Sequence, residues 1–179
     1  VLHNLELFEV TDVDAIHSLN SFASPTPVLD GTLLLCHFGE LGTACVDTES
    51  ISVVWKANLP SKHSVGPGSS PIVHDQLLIV PCDGTDQQYV IAVNKRTGEQ
   101  VWKTARPPMT GTEGDQHKSF SSPLFVNDGG REQIVIPGAQ WFVAYDPRDG
   151  HELWRVRHGN GFSNVPKPIS GNGMTYVCT

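Results

Sequence analysis

No apolar run in this sequence approaches the length needed to cross a membrane; the longest, around 33–36 and 77–80, are strand-sized. Basic residues are scarce. Twelve Lys and Arg stand against nineteen Asp and Glu, and a net charge of −7 argues against a nucleic-acid or anionic-membrane surface. The four cysteines, Cys36, Cys45, Cys82 and Cys178, have no C-x-x-C spacing, so a zinc knuckle or thioredoxin-type site is not expected. The Gly-rich pieces at 66–71 and 159–164 fit neither G-x-G-x-x-G nor the P-loop, and read as tight entries into strands. No Ser/His/Asp or paired-carboxylate constellation is recognisable, so no catalytic residue is assigned. The chain opens at Val1 without Met and closes in a strand-like run, 174–178, which suggests a fragment and leaves any targeting leader undecided.

What is present is punctuation. Seventeen Gly and thirteen Pro recur at intervals, as in a chain of short strands and many turns. Three segments superpose without a gap: Asp47 to Trp55, Asn94 to Trp102 and Asp146 to Trp154, each an Asp or Asn eight residues before a Trp. Gly98 and Gly150 share one inner position, where the first segment has Ile51. A small residue lies two places before each Asp/Asn (Cys45, Ala92, Ala144), and a Ser-Pro pair stands upstream at Ser24-Pro25, Ser70-Pro71 and Ser122-Pro123. The Trp-to-Trp periods of 47 and 52 suit propeller blades.

Each unit reads as four short strands, A to D. In the second, the strands are expected over 70–74, 77–81, 89–93 and 100–104. The Asp or Asn ending strand C can hydrogen-bond its own turn, and Gly98 supplies the positive φ that closes the C–D hairpin. Strand B is apolar at consecutive positions (Leu77, Leu78, Ile79, Val80), as expected of a strand covered on both faces by stacked sheets. The fold expected is all-β, a partial β-propeller of about three four-stranded blades plus edges of a larger ring. Its blades are placed at 23–56, 70–104 and 122–156, with a further one starting over 167–179. Residues 1–22 read as the tail of a preceding blade and a linker. Val28, Leu34, Ile136 and Tyr176 are expected on the two end faces that a larger ring would cover. Cys36 and Cys45 could oppose each other across a B–C hairpin centred between Glu40 and Leu41, although two free thiols are favoured.

These residues resemble the pyrroloquinoline-quinone-like (PQQ-like) propeller repeat, roughly Ala-x-Asp-x-x-Thr-Gly-x-x-x-Trp. The middle unit departs only at Asn94; the third has Asp149 for Thr; the first has Cys45, Ser50 and Ile51 for Ala, Thr and Gly. The resemblance implies that Trp55, Trp102 and Trp154 lock neighbouring blades, supported by Asp47, Asn94, Asp146, Gly98 and Gly150. The repeat is shared by quinoprotein dehydrogenases, which hold quinone and calcium, and by non-enzymatic propellers of the BamB type and sensor regions of bacterial kinases. The enzymes typically carry a vicinal Cys-Cys pair, and none occurs here. The reading drawn is a non-enzymatic scaffold or binding module of the periplasm or cell envelope, with no cofactor. The alternatives are a dehydrogenase fragment, under which alone PQQ and calcium enter, and a sensor propeller attached to a bacterial protein kinase.

In this strand order the D–A and B–C connections share one face. They hold the candidate ligand residues His37, His63, Asp83, Asp86, Asp115, His117, Lys118, His158 and Asn164, with Glu113 and Asn160 nearby. A protein or small polar ligand is expected there. A metal among His63, His117 and His158 is conceivable, but no two are at a ligand spacing, and no metal ligand is assigned.

Overall fold

A computed structural model describes residues 2–111, 114–159 and 164–179. Strands β1 (Val28–Asp30), β2 (Leu33–His37), β3 (Thr43–Asp47) and β4 (Ser52–Ala57) pair in chain order as one antiparallel sheet. A second sheet holds β5 (Ile72–His74), β6 (Leu77–Asp83), β7 (Gln88–Asn94) and β8 (Gln100–Ala105). The third holds β9 (Leu124–Asp128), β10 (Arg131–Pro137), β11 (Trp141–Tyr145) and β12 (Glu152–Arg157). A hairpin of β13 (Ile169–Gly171) and β14 (Met174–Tyr176) follows. The architecture is a partial β-propeller. Residues 2–22 form no strand and cross the loops of the first sheet as an extended strap.

Side-chain parity explains the consecutive apolar residues of the second sheet. On β6 and β7, Leu78, Val80, Cys82, Tyr89, Ile91 and Val93 face the first sheet, where they bury Leu33, Leu35, Cys45 and Trp55. Ile79, Val90, Ala92 and Trp102 face the third, against Ile134, Ile136, Val143 and Tyr145. A strand with a sheet on either side has no solvent face to make polar, hence the unbroken run. Ile136, expected on an uncovered face, is instead fully buried in this second core, and Val28 packs on the first. Parity decides both: each points inward between two sheets.

The three Trp residues hold one register. Cys45 pairs with Trp55, Ala92 with Trp102 and Ala144 with Trp154, each beside a bulge on the partner strand. Trp55 reaches into the next sheet's C–D turn, donating from Nε1 to the Lys95 carbonyl at 2.9 Å; Trp102 does the same to Pro147 at 3.0 Å. Each indole lies flat on that turn's glycine. A Cβ on Gly98 would stand 2.7 Å from Trp55, and one on Gly150 2.3 Å from Trp102. Both glycines also have positive φ, +75° and +72°, so the position excludes a side chain twice over. Among the described residues no such turn meets Trp154. It is 37% exposed and donates to Gln133 of its own sheet.

The turns close as Asx motifs. Asp47 Oδ1 accepts from the backbone N–H groups of Glu49 and Ser50, Asn94 Oδ1 from those of Arg96 and Thr97, and Asp146 Oδ1 from that of Arg148. In the first sheet Ile51 occupies the glycine position at φ +53°. The β2–β3 connection is centred on Glu40 alone, because Phe38 N–H donates to Gly42 O at 2.8 Å across a five-residue loop. Leu35 therefore opposes Cys45 and Cys36 opposes Ala44, which sends the two thiols to opposite faces. All four cysteines are free.

Candidate functional site

The described parts of three long connections, within residues 58–71, 106–123 and 158–168, meet the B–C loops on one side of the sheets. Thr85 N–H donates to Lys62 O at 2.6 Å, and Gln140 binds Thr110 through both ends of its amide. The described part of this face is polar and densely paired, and its pairing redefines several of the candidate residues.

Asp83, at the end of β6, is buried and held by Arg106 in a fork: Nε to Oδ1 at 2.8 Å and Nη2 to Oδ2 at 2.6 Å. Arg106 also donates to the Ile136 carbonyl and the Tyr145 hydroxyl, stitching the second sheet to the third. Burial alone would lower the Arg106 pKa, yet Asp83 and Tyr145 beside it raise it. Both side chains are 1% exposed, so the pair is closed to a ligand from solvent and acts as an internal brace. His37 is likewise spent on structure. It is buried at the end of β2 with Nδ1 against Thr43 Oγ1 at 2.8 Å, and burial, with His63 nearby, pushes its pKa down to about 3.

The remaining candidates divide. Asp86 accepts from the Lys62 and Gln87 backbones and stays exposed. Lys118 is 2% exposed, paired with Asp115 and 3.5 Å from Ser64 Oγ. Asn164 donates to the Gly138 carbonyl at 2.9 Å, and the His158 ring stacks on Phe142 with centroids 4.1 Å apart. Glu113 and Asn160 lie outside the described residues. Sequence reading missed Arg106, Gln140 and Ser119, which span two or more connections each; only Arg106, a charge directly after a strand, carries any local signal.

His63 is the least satisfied of the candidates near the strap. It is 5% exposed, its Nδ1 has no partner, and burial holds its pKa below the usual histidine value. The backbone around it is tight: Val65 N–H donates to His63 O at 2.7 Å across Ser64 at φ +58°, a strained γ-turn. Asn20 of the strap clamps that turn through the Val65 and Pro67 carbonyls. Among the described residues, five buried side-chain polar atoms lack a partner: Ser61 Oγ, His63 Nδ1, His117 Nε2, Ser121 Oγ and His158 Nδ1. All five sit on the three D–A connections.

Among the described residues, one group brings three metal-type ligand atoms within 4.8 Å of one another, Asp146, Asp149 and His151, at the opposite, C–D turn end. Arg148 forks onto both oxygens of Asp146 and, ahead of its backbone hydrogen bond, drives that carboxyl down to about 2, so a guanidinium already fills the place of an ion. Among the described residues the loop-face carboxylates do not converge in this way: Asp83 is committed to Arg106 and Asp115 to Lys118.

The model of the PQQ_2 family, outer membrane protein assembly factor BamB, matches residues 14–179. The chain belongs to that family. Among solved structures it is similar to BamB from Moraxella catarrhalis, with 17% identity and a TM-score of 0.63 over 86% of this chain and 46% of that one. It is also similar to a europium-containing methanol dehydrogenase, with 17% identity and a TM-score of 0.55 over 73% of this chain and 24% of that one. The quinohemoprotein alcohol dehydrogenase from Comamonas testosteroni aligns with 17% identity and a TM-score of 0.53 over 76% of this chain and 22% of that one. The chain thus spans less than half the length of each, and at these identities the likeness is one of fold. No curated protein sequence matches it significantly. No helix among the described residues is long and apolar enough to cross a membrane.

Proposed function

We propose that this PQQ-like propeller is a non-enzymatic binding module of the cell envelope, whose D–A and B–C loop face carries the partner or ligand. One observation supports the reading most directly. Buried polar atoms normally find partners, because leaving one unpaired costs about 1–3 kcal/mol. Here the five unpaired ones among the described residues all fall on the connections of a single face. The envelope location rests on the likeness to BamB, named as an outer membrane protein assembly factor. Asp47, Asn94 and Asp146, with the Trp–Gly pairs, serve the blades and not the ligand.

A photo-crosslinking residue placed at Asp86 on the loop face, or at Arg96 on the opposite turn, tests the proposal in cells. Discrete adducts from position 86 and none from 96 are expected. Equal adducts from both positions, or none from 86, would remove the loop face as the binding surface. A dehydrogenase fragment makes a different forecast: added PQQ and calcium would confer alcohol-dependent dye reduction. No such activity is expected.

A further inference from the structure

The outer strand of the third sheet departs from its two counterparts in charge. β4 and β8 carry one lysine each, Lys56 and Lys103, whereas β12 carries two arginines, Arg155 and Arg157, in a chain of net charge −7. Both guanidiniums lie over one ring. Arg155 Cζ stands 5.2 Å and Arg157 Cζ 5.7 Å from the centre of Trp141, whose Nε1 donates to the Pro108 carbonyl at 3.0 Å. A fixed indole thus holds in place two long side chains whose ordering would otherwise oppose binding. Their present partners are weak. Arg155 Nε is 3.4 Å from Glu152 Oε1 in a half-exposed pair, and Arg157 donates to a neutral hydroxyl, Thr110 Oγ1, at 3.0 Å.

A second observation is independent of charge. β12 is the last strand of its sheet and, among the described residues, pairs with β11 alone. Just beyond it the His158 N–H donates to the Gln140 carbonyl at 3.1 Å. Antiparallel pairing alternates, so from 158 backwards Val156 and Trp154 turn their backbone groups to β11, while Arg157 and Arg155 turn theirs outward. The residues with outward backbone donors and acceptors are the same two that carry the guanidiniums. Val156 sits between them on the other face of the sheet, 55% exposed.

We propose that the β12 edge takes up an extended partner segment of alternating acidic and apolar residues as an antiparallel fifth strand. Its carboxylates stand opposite Arg157 and Arg155, and an apolar residue stands opposite Val156. Side chains directly opposed on paired strands are the ones that interact, and opposite charges there are favourable. The same rule excludes a second copy of this edge, because antiparallel pairing of β12 with itself about Val156 sets Arg155 against Arg157. A small free anion would satisfy the guanidiniums but leave the outward amides and the exposed valine unused. The edge lies on the rim, so the proposal goes beyond the reading of the loop face.

NMR titration of the 179-residue chain with the peptide acetyl-Thr-Glu-Val-Glu-Val-Thr-amide tests this. The amide protons of Arg155 and Arg157 should become protected from exchange, and the Trp141 indole resonance should move. Arg155→Gln with Arg157→Gln should weaken binding roughly fivefold or more. Lys103→Gln, on the neighbouring edge, should leave it unchanged, and a peptide with Lys in place of both Glu should not bind. N-methylation of the peptide separates an added strand from a simple anion contact. Methyl groups on the two Glu nitrogens, which face β12, should abolish binding, whereas methyl groups on the two Val nitrogens, which face away, should not. Equal binding of the two methylated peptides, unchanged binding by the arginine variant, or no binding of the parent peptide overturns the proposal. The crosslinking at position 86 reads another face, so its result and this one are separable.

Discussion

The outer rim and the loop face of these sheets are built by opposite rules. At the rim the same device recurs: a Trp on strand D, a glycine in the next sheet's turn, and one hydrogen bond from indole to a turn carbonyl, at 2.9 Å and 3.0 Å. On the loop face the side-chain ion and amide pairs among the described residues do not repeat. Asp83 pairs with Arg106, Lys118 with Asp115 and Gln140 with Thr110, each arrangement occurring once. A repeat can conserve stacking with one local motif, whereas recognition needs positions that differ from blade to blade.

The largest test of that contrast compares two Trp residues. Trp102→Ala removes an indole that is 7% exposed and leaves a void over Gly150, at a cost of about 3–5 kcal/mol. Trp154→Ala, in the same register but 37% exposed, should cost under ~2 kcal/mol. Urea unfolding of both variants decides it. Equal losses would mean that the strand position, and not the covering turn, sets the stability of the rim.

The next test belongs to the loop face. His37 has its pKa pushed down to about 3 by burial and by His63, while in the unfolded chain it titrates near the ordinary 6.5. Between those values the unfolded state binds the extra proton, so stability falls as pH falls below 6.5, by about 2 kcal/mol at pH 5. His37→Gln should flatten that part of a stability–pH curve. If the slope survives unchanged, its source is another group.

The same contrast explains what was legible. The rim was written into the spacing of Asp47, Asn94 and Asp146 to their Trp residues, because an Asx turn and a stacked glycine are local requirements. The both-faced burial of β6 was legible from its unbroken apolar run. The loop face was legible only as a list of polar residues. Nothing local tells that Asp83 meets Arg106, 23 positions away, or that His37 turns inward to Thr43. The one-residue shift that separates Cys36 from Cys45 came from the loop Phe38–Gly42, whose hydrogen bond no symmetry argument supplied.

Glycine substitution probes the rim more finely. Gly150→Ala places a Cβ at 2.3 Å from Trp102 on a backbone with φ +72°. The left-handed conformation alone costs about 1–2 kcal/mol for a residue with a Cβ, and displacing the indole adds to it. A loss of about 2–3 kcal/mol is expected, with Trp fluorescence shifted to the red as the indole becomes wetter. An unshifted spectrum would mean that the turn moves and the Trp stays.

The smallest effect has the opposite sign. Ile51 sits where the other turns have glycine, at φ +53°, and a β-branched residue is especially strained there. Ile51→Gly relieves that strain, about 1–2 kcal/mol, but adds unfolded-state freedom of about 0.5–1 kcal/mol. Ile51 is only half-buried and belongs to neither of the two inter-sheet cores, so little packing is lost. The substitution should therefore stabilise the chain slightly, by up to ~1 kcal/mol, whereas Gly98→Ala in the next blade should destabilise it. The pair isolates the role of the covering indole, since Gly98 lies under Trp55 and its first-sheet counterpart does not receive a Trp from any described blade. A destabilised Ile51→Gly chain would show that Ile51 makes contacts worth more than its strain, and that the first turn is built to a purpose of its own.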